Sequence, residues 1–294
     1  MKILVTGREG QVARSLALAA TGWPGLDLMF VARPEIDLAA PGSVARAIDA
    51  ARPDLVINAA AYTAVDRAEA EAGLAFRVNA EAAGEVATAA AINGAGLIQI
   101  STDYVFDGLA ERPYVETDAT GPVNVYGASK LAGEEAVRAA HPQALVLRTS
   151  WIVSPFGQNF VKTMLGLAST RDELAVVADQ FGCPTVADDL AQALVDLAMR
   201  WGERRPSGTY HLASSTTASW AELAEAVMQA SAARGGPSAR IRPIATADYP
   251  TPATRPRYTV LDVSRARHEL DLALPPWRQS IDILTQNLIS EFYP

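Results

Sequence analysis

The segment Val5-Thr6-Gly7-Arg8-Glu9-Gly10-Gln11-Val12-Ala13 follows a short apolar run, Lys2–Thr6, and leads into an apolar pattern of helical period over residues 13–20. Strand, glycine turn and helix in that order form a unit whose turn lets another group come close. Without side chains at Gly7 and Gly10, a pyrophosphate can approach the turn and meet the amides that open the helix. The spacing is G-x-x-G-x-x-A, with Ala13 where a third glycine often stands. A tight turn without any ligand has the same appearance, so the rest of the chain must decide.

The alternation continues. Strand patterns at 28–32, 54–59, 97–101 and 144–149 alternate with helical patterns at 41–52, 65–93 and 123–139, the long middle one carrying Gly73 as a break. Strands separated by helices pair in parallel through right-handed crossovers, giving an α/β, doubly wound, Rossmann-like sheet. Beyond Trp151 the pattern is less regular. Helices are expected at 159–168, 187–201, 219–233 and 280–292, strands at 174–177 and 209–212, and Gly- and Pro-rich loops at 234–237 and 249–257. We expect residues 1–150 to form an NAD(P)-binding domain and residues 151–294 mainly a smaller substrate-binding lobe, with segments returning to the sheet.

Composition narrows the function. Acidic residues outnumber basic ones, 33 to 25, for a formal charge of −8, which argues against sequence-independent nucleic-acid binding. Apolar runs such as 87–92 are too short to span a bilayer, and no signal-like segment precedes the first strand, so a cytoplasmic protein is expected. The single cysteine, Cys183, excludes an intrachain disulfide and a cysteine-cluster metal site. None of His141, His211 and His268 is near it in sequence, so it reads as a packing residue.

The chemistry centres on Tyr126-Gly127-Ala128-Ser129-Lys130. Positions i and i+4 share a helix face, so phenol and ammonium can address one ligand. A nearby cation favours phenolate, and lowering of the Tyr126 pKa by Lys130 is therefore expected. With eight Tyr and three Lys (Lys2, Lys130, Lys162), chance supplies this spacing only about 0.08 times. Ser101-Thr102-Asp103-Tyr104 ends the fourth strand, where a hydroxyl can hold a reacting carbonyl oxygen while Tyr126 delivers a proton. The second strand ends Val31-Ala32-Arg33, with no acid until Glu35. An arginine there suits a 2′-phosphate, so NADPH is favoured and NADH stays open. Asp37-Leu38 and Asn58-Ala59-Ala60-Ala61-Tyr62-Thr63 fall where adenine and nicotinamide-ribose contacts would come.

These features resemble the extended short-chain dehydrogenases/reductases. Ser101 to Gly108, Asn58 to Asp66, Arg148-Thr149-Ser150-Trp151, Asn159 to Met164, Asp179 to Thr185 and Arg255-Pro256 with Leu261-Asp262 narrow the likeness to the dTDP-4-dehydrorhamnose reductase family, along almost the whole chain. The resemblance implies reduction of the 4-keto group of dTDP-4-dehydro-L-rhamnose by NAD(P)H. It gives Thr102 the ketone, Tyr126 the proton and Lys130 the nicotinamide ribose. Gly7, Gly10, Gln11, Val12, Arg33, Asp37, Leu38, Ala60, Ala61, Tyr62 and Thr63 would meet the cofactor, and Asp103, Tyr104 and Trp151 the nucleotide-sugar substrate. Some members bind magnesium at a homodimer contact through glutamates. Here Ser15 takes one such place while Asp188 and Glu291 match others, and no metal is assigned. Arg240, Arg242, Arg255 and Arg257 suit either a diphosphate or a solvated basic loop. Two alternatives stay open: a nucleotide-sugar epimerase or 4,6-dehydratase, and a non-catalytic relative like the regulatory subunit of methionine adenosyltransferase. Asp103-Tyr104 after Thr102, where a dehydratase would carry Asp-Glu, speaks against the first. The intact Thr102, Tyr126 and Lys130 speak against the second.

Overall fold

A computed structural model describes residues 1–292. The first half runs β1 (Lys2–Thr6), α1 (Gln11–Ala19), β2 (Asp27–Val31), α2 (Ser43–Ala51), β3 (Leu55–Asn58), α3 (Val65–Ala68), α4 (Ala72–Phe76), α5 (Ala82–Ile92), β4 (Gly96–Thr102), α6 (Val125–Ala140) and β5 (Leu145–Thr149). Then follow β6 (Ile152–Val153), α7 (Phe160–Ala168), β7 (Glu173–Val177), β8 (Phe181–Gly182), β9 (Thr185–Val186), α8 (Ala187–Met199), α9 (Trp201–Arg204), β10 (Gly208–His211), β11 (Ala218–Ser219), α10 (Trp220–Ala232), β12 (Arg240–Ile244), α11 (Ser264–Leu270) and α12 (Trp277–Phe292).

Six strands form one sheet in the order β10-β5-β4-β3-β1-β2, and all its pairs are parallel. β3 reads Leu-Val-Ile-Asn and is buried throughout, as a central parallel strand covered by helices on both faces must be. On one face Val5, Ile57, Ile98 and Leu147 pack with Leu16 of α1 and Leu190 and Leu194 of α8. On the other, Leu4, Val56, Leu97 and Val146 pack with Ile48 of α2, Val86 of α5 and Val137 of α6. α8 and β10 therefore return from the second half of the chain to the sheet. Leu165, Val227, Trp277, Ile281 and Leu288 make a separate core among α7, α10 and α12.

Two segments differ from the sequence expectation. The continuous helix over 65–93 is broken between Ala68 and Ala72 and widens into a π-helical turn at Arg77–Glu81, while Gly73 lies inside α4. Side chains near the break are engaged elsewhere: Asp66 pairs with Arg255, and Glu69 accepts from the Val125 amide at 2.9 Å. The π turn places Asn79 against the loop after β3, a use often found for such bulges. The second difference is β12, parallel to β7 over five residue pairs. Its sequence, Arg-Ile-Arg-Pro-Ile, is mostly exposed and contains a proline, which an edge strand tolerates but strand patterning does not reveal.

Candidate active site

A cleft of about 940 Å³ opens at the C-terminal ends of β1 and β3, the point where the sheet's winding reverses. Gly7 (φ +92°) makes the turn out of β1, a backbone setting that favours glycine, and its ideal Cβ would sit 3.5 Å from that of Ala60. α1 starts at Gly10 without a side-chain cap and without an acidic residue in its first turn. Its opening amides are therefore not claimed by a side chain, and a pyrophosphate fits them. The expected cofactor residues Gly7, Gly10, Gln11, Val12, Arg33, Asp37, Leu38, Ala60, Ala61, Tyr62 and Thr63 all line this cleft. The Gln11 side chain, however, turns to the second half of the chain, accepting from Ser154 Oγ at 3.0 Å and Asn159 Nδ2 at 3.1 Å.

Thr102, Tyr126 and Lys130 converge on one wall. Asn124 caps α6 by accepting from the Gly127 amide at 2.8 Å, which starts the helix one residue before Tyr126. A buried polar chain ties the strand ends together. Thr6 Oγ1 donates to Asn58 Oδ1 (2.5 Å), Asn58 Nδ2 to Gln99 Oε1 (2.7 Å) and Gln99 Nε2 to Ile100 O (3.0 Å). Lys130 Nζ donates to the same carbonyl at 2.7 Å.

One expectation is corrected. Tyr126 is not made acidic by Lys130; burial pushes its pKa up to about 12, with the Asp103 charge adding to the rise and the Thr102 hydroxyl opposing it. Burial also brings Lys130 down to about 8, against the pull of Glu134. At neutral pH the phenol holds its proton, which is the form an acid needs.

Asp103 lines the cleft but is 2% exposed, and its oxygens accept from Thr102 (3.0 Å), Ser150 (3.0 Å) and Thr259 (2.6 Å) hydroxyls. Burial lifts its pKa to about 6, opposed by those hydrogen bonds. Tyr104 meets Tyr126 edge to face, ring centroids 6.0 Å apart. Trp151 adopts a left-handed backbone (φ +46°) and lies flat on Trp220, centroids 3.5 Å apart. Such a conformation is costly for an aromatic residue and is held by its surroundings. Of the four arginines considered for a diphosphate, Arg255 lines the cleft, held by Asp66 at 2.9 and 2.7 Å. Arg240 and Arg242 pair with Glu173 at the β7–β12 edge, and Arg257 is outside the cleft lining.

A family model described as the RmlD substrate binding domain matches residues 1–290. The chain belongs to this family. It is 45% identical over 294 residues to a dTDP-4-dehydrorhamnose reductase of Sinorhizobium fredii (strain NBRC 101917 / NGR234), covering 99% of each chain. A crystal structure of a dTDP-4-dehydrorhamnose reductase from Clostridium acetobutylicum superposes with TM-score 0.91 at 35% identity, over 98% of this chain and 99% of the other. One from Bacillus anthracis, in complex with NADP, gives 0.90 at 34% identity, over 97% and 99%.

Sequence reading missed several residues that build the site. Asn79, 2% exposed, accepts from the Tyr62 amide (2.8 Å) and donates to Tyr62 O (3.0 Å) and Ser129 Oγ (2.9 Å), fastening the loop after β3 to α6. Trp220 backs Trp151, with Phe160 tilted against it at 4.7 Å. Neither has a local signature: both act through contacts between distant segments. Cys183 is buried, its pKa raised to about 12 by burial, as a packing thiol would be. Ser15 donates to Asp188 at 2.5 Å, whereas Glu291 is exposed near the end of α12. Among the described residues no group of three or more His, Cys, Asp or Glu stands together as a metal site, and no helix is long and apolar enough to cross a membrane.

Proposed function

We propose that this chain reduces the 4-keto group of dTDP-4-dehydro-L-rhamnose to dTDP-L-rhamnose with NADPH. The observation that carries the reading is the meeting of Thr102, Tyr126 and Lys130 on one cleft wall, beside a glycine turn fit for a dinucleotide. The family's named reductases and the NADP complex of the Bacillus anthracis relative support it.

When bound, NADPH supplies the hydride that the carbonyl carbon takes up. Tyr126 donates its phenolic proton to the carbonyl oxygen, and Lys130 steadies the phenolate that remains. The Thr102 hydroxyl turns its proton from Asp103 to the same oxygen, while Asp103 stays buried on the Ser150 and Thr259 hydroxyls and does not touch the sugar. Lys130 also holds the nicotinamide ribose, while Arg33 at the rim receives the 2′-phosphate. Trp151 and Tyr104 border the sugar. Residues 1–150 act mainly as the cofactor domain and 151–294 mainly as the substrate lobe, in a cytoplasmic enzyme.

The test is a panel of keto-sugar nucleotides offered with NADPH or NADH, with products identified by mass spectrometry. The dTDP-4-keto-6-deoxy sugar should gain a pair of hydrogens. Turnover of other members alone, or epimerisation without net reduction, contradicts the proposal.

A further inference from the structure

Tyr126, Lys130 and Glu134 stand four residues apart on α6, a stripe spanning about 12 Å of one face. Three consecutive residues of β4 meet this stripe. The Thr102 hydroxyl interacts with Tyr126, Ile100 O receives Lys130 Nζ at 2.7 Å, and Ser101 Oγ donates to Glu134 Oε1 at 2.6 Å. Glu134 has no exposed surface, yet it is ionised among partners. Arg148 of β5, directly opposite Ser101 in the ladder, grips both its oxygens at 2.9 and 2.8 Å, and Arg138 reaches it at 3.3 Å. Burial alone would raise the Glu134 pKa, but the Arg148 guanidinium, the Ser101 hydroxyl and the Arg138 charge together hold it below the ordinary carboxylate value.

A buried ion pair is a poor device for stability alone, because desolvation cancels most of its attraction. Its position is more informative. Rotating α6 by one residue would move each of the three side chains by about 100° and break all three links to β4 together. Glycines bring the helix close enough for them: a Cβ on Gly127 would collide with Tyr104 O and one on Gly133 with Asn79 O.

We infer that Glu134, clamped by Arg148 and Ser101, is a positioning residue that fixes α6 in register with β4 and keeps the Lys130 ammonium charged where the nicotinamide ribose is held. This rests on the proposed reductase reading for the ribose, but not on which sugar is reduced. The ionisable groups on elements packed around α6 are Asp66 and Arg67 of α3, Arg77, Glu81 and Glu85 of the π turn and α5, Asp103 and Tyr104 after β4, Arg148 of β5 and His211 of β10, with Tyr126, Arg138 and the exposed Glu135 on α6 itself. Asp66 is taken by Arg255, and Arg77 by Glu81 and Glu85. Glu134 is the charge that acts on Lys130, raising its pKa against burial.

The experiment compares the wild type with Glu134→Gln and Glu134→Gln/Arg148→Gln, the second removing both buried charges. Folding is checked by circular dichroism, and NADPH binding is followed by nicotinamide fluorescence across pH 6 to 10. Both variants should lose the alkaline limb of NADPH binding about one pH unit earlier than the wild type, because Lys130 deprotonates sooner. The same shift is expected in kcat/KM. An unmoved limb in a folded variant overturns the inference, and if both variants lose the fold, Glu134 is only a structural ion and the inference falls. Wild-type inactivity toward keto sugars would count against the functional reading alone, since the binding limb is read without substrate.

Discussion

At the scale of single residues, the site depends on which protonation state burial enforces. Burial holds Tyr126 near 12 and Lys130 near 8, so neutral phenol and ammonium coexist at pH 7. The Tyr-x-x-x-Lys spacing was legible because helix periodicity alone puts both on one face, but the energetics were not. Desolvation is a property of the packed cleft, absent from any four-residue motif. Arg33 is exposed at the cleft rim, and Arg8, also in the cleft lining, pairs with Glu35 at 3.2 Å. Arg33→Ala should raise the Kd for NADPH roughly tenfold while changing NADH by less than about twofold, a loss near that of one charge-assisted phosphate contact. Fluorescence titration with both cofactors checks this, and equal weakening would remove Arg33 from the 2′-phosphate.

At the scale of elements, α6 carries the argument, and its glycines allow a sharp comparison. Replacing an exposed helical glycine by alanine usually gains about 1 kcal/mol. Gly166 of α7 has nothing within 4 Å of an ideal Cβ, so Gly166→Ala should stabilise by that order. At Gly133 the new methyl would run into Asn79 O, so Gly133→Ala should instead cost roughly 1–3 kcal/mol and lower kcat by displacing α6, which carries the proposed Tyr126 and Lys130. Urea denaturation reads the two opposite signs. The boundaries of α6, β3 and β5 were legible within a residue or two, because apolar runs mark them, whereas the Asn124 cap that sets the start of α6 was not read from the sequence. The π turn and β12 were not. The first is made by Asn79 reaching a loop and the second by pairing with β7, and neither leaves a periodic trace.

At the scale of the whole molecule, the sheet's two faces and the separate core around Trp277 hold the cleft between them. The alternation of strands and helices made the doubly wound sheet legible. The return of α8 and β10 to that sheet was only anticipated in general, since chain order does not say which later strand completes a parallel edge. One buried group on that returning strand gives the fold a pH dependence. His211, fully enclosed, is pushed down to about 4 by burial, with the Arg148 charge in the same direction. Its folded pKa lies below the unfolded value of 6.5, so its contribution is complete above pH 6.5 and is lost as pH falls toward 4. The shift corresponds to about 3 kcal/mol. His211→Gln should therefore flatten the fall in urea-derived stability between pH 6.5 and 4. Asp103 has the opposite sign, but it is common to both proteins and cancels in the comparison.

The central claim is that the Tyr126 phenol protonates a sugar ketone as hydride arrives. The most direct measurement is the loss of nicotinamide absorbance at about 340 nm with dTDP-4-dehydro-L-rhamnose, for wild type and Tyr126→Phe side by side. The wild type should oxidise NADPH in proportion to keto sugar, and the variant should bind NADPH normally while turning over about 10²- to 10⁴-fold more slowly. Wild-type turnover by the phenylalanine variant, or no keto-sugar-dependent oxidation by the wild type, would contradict it.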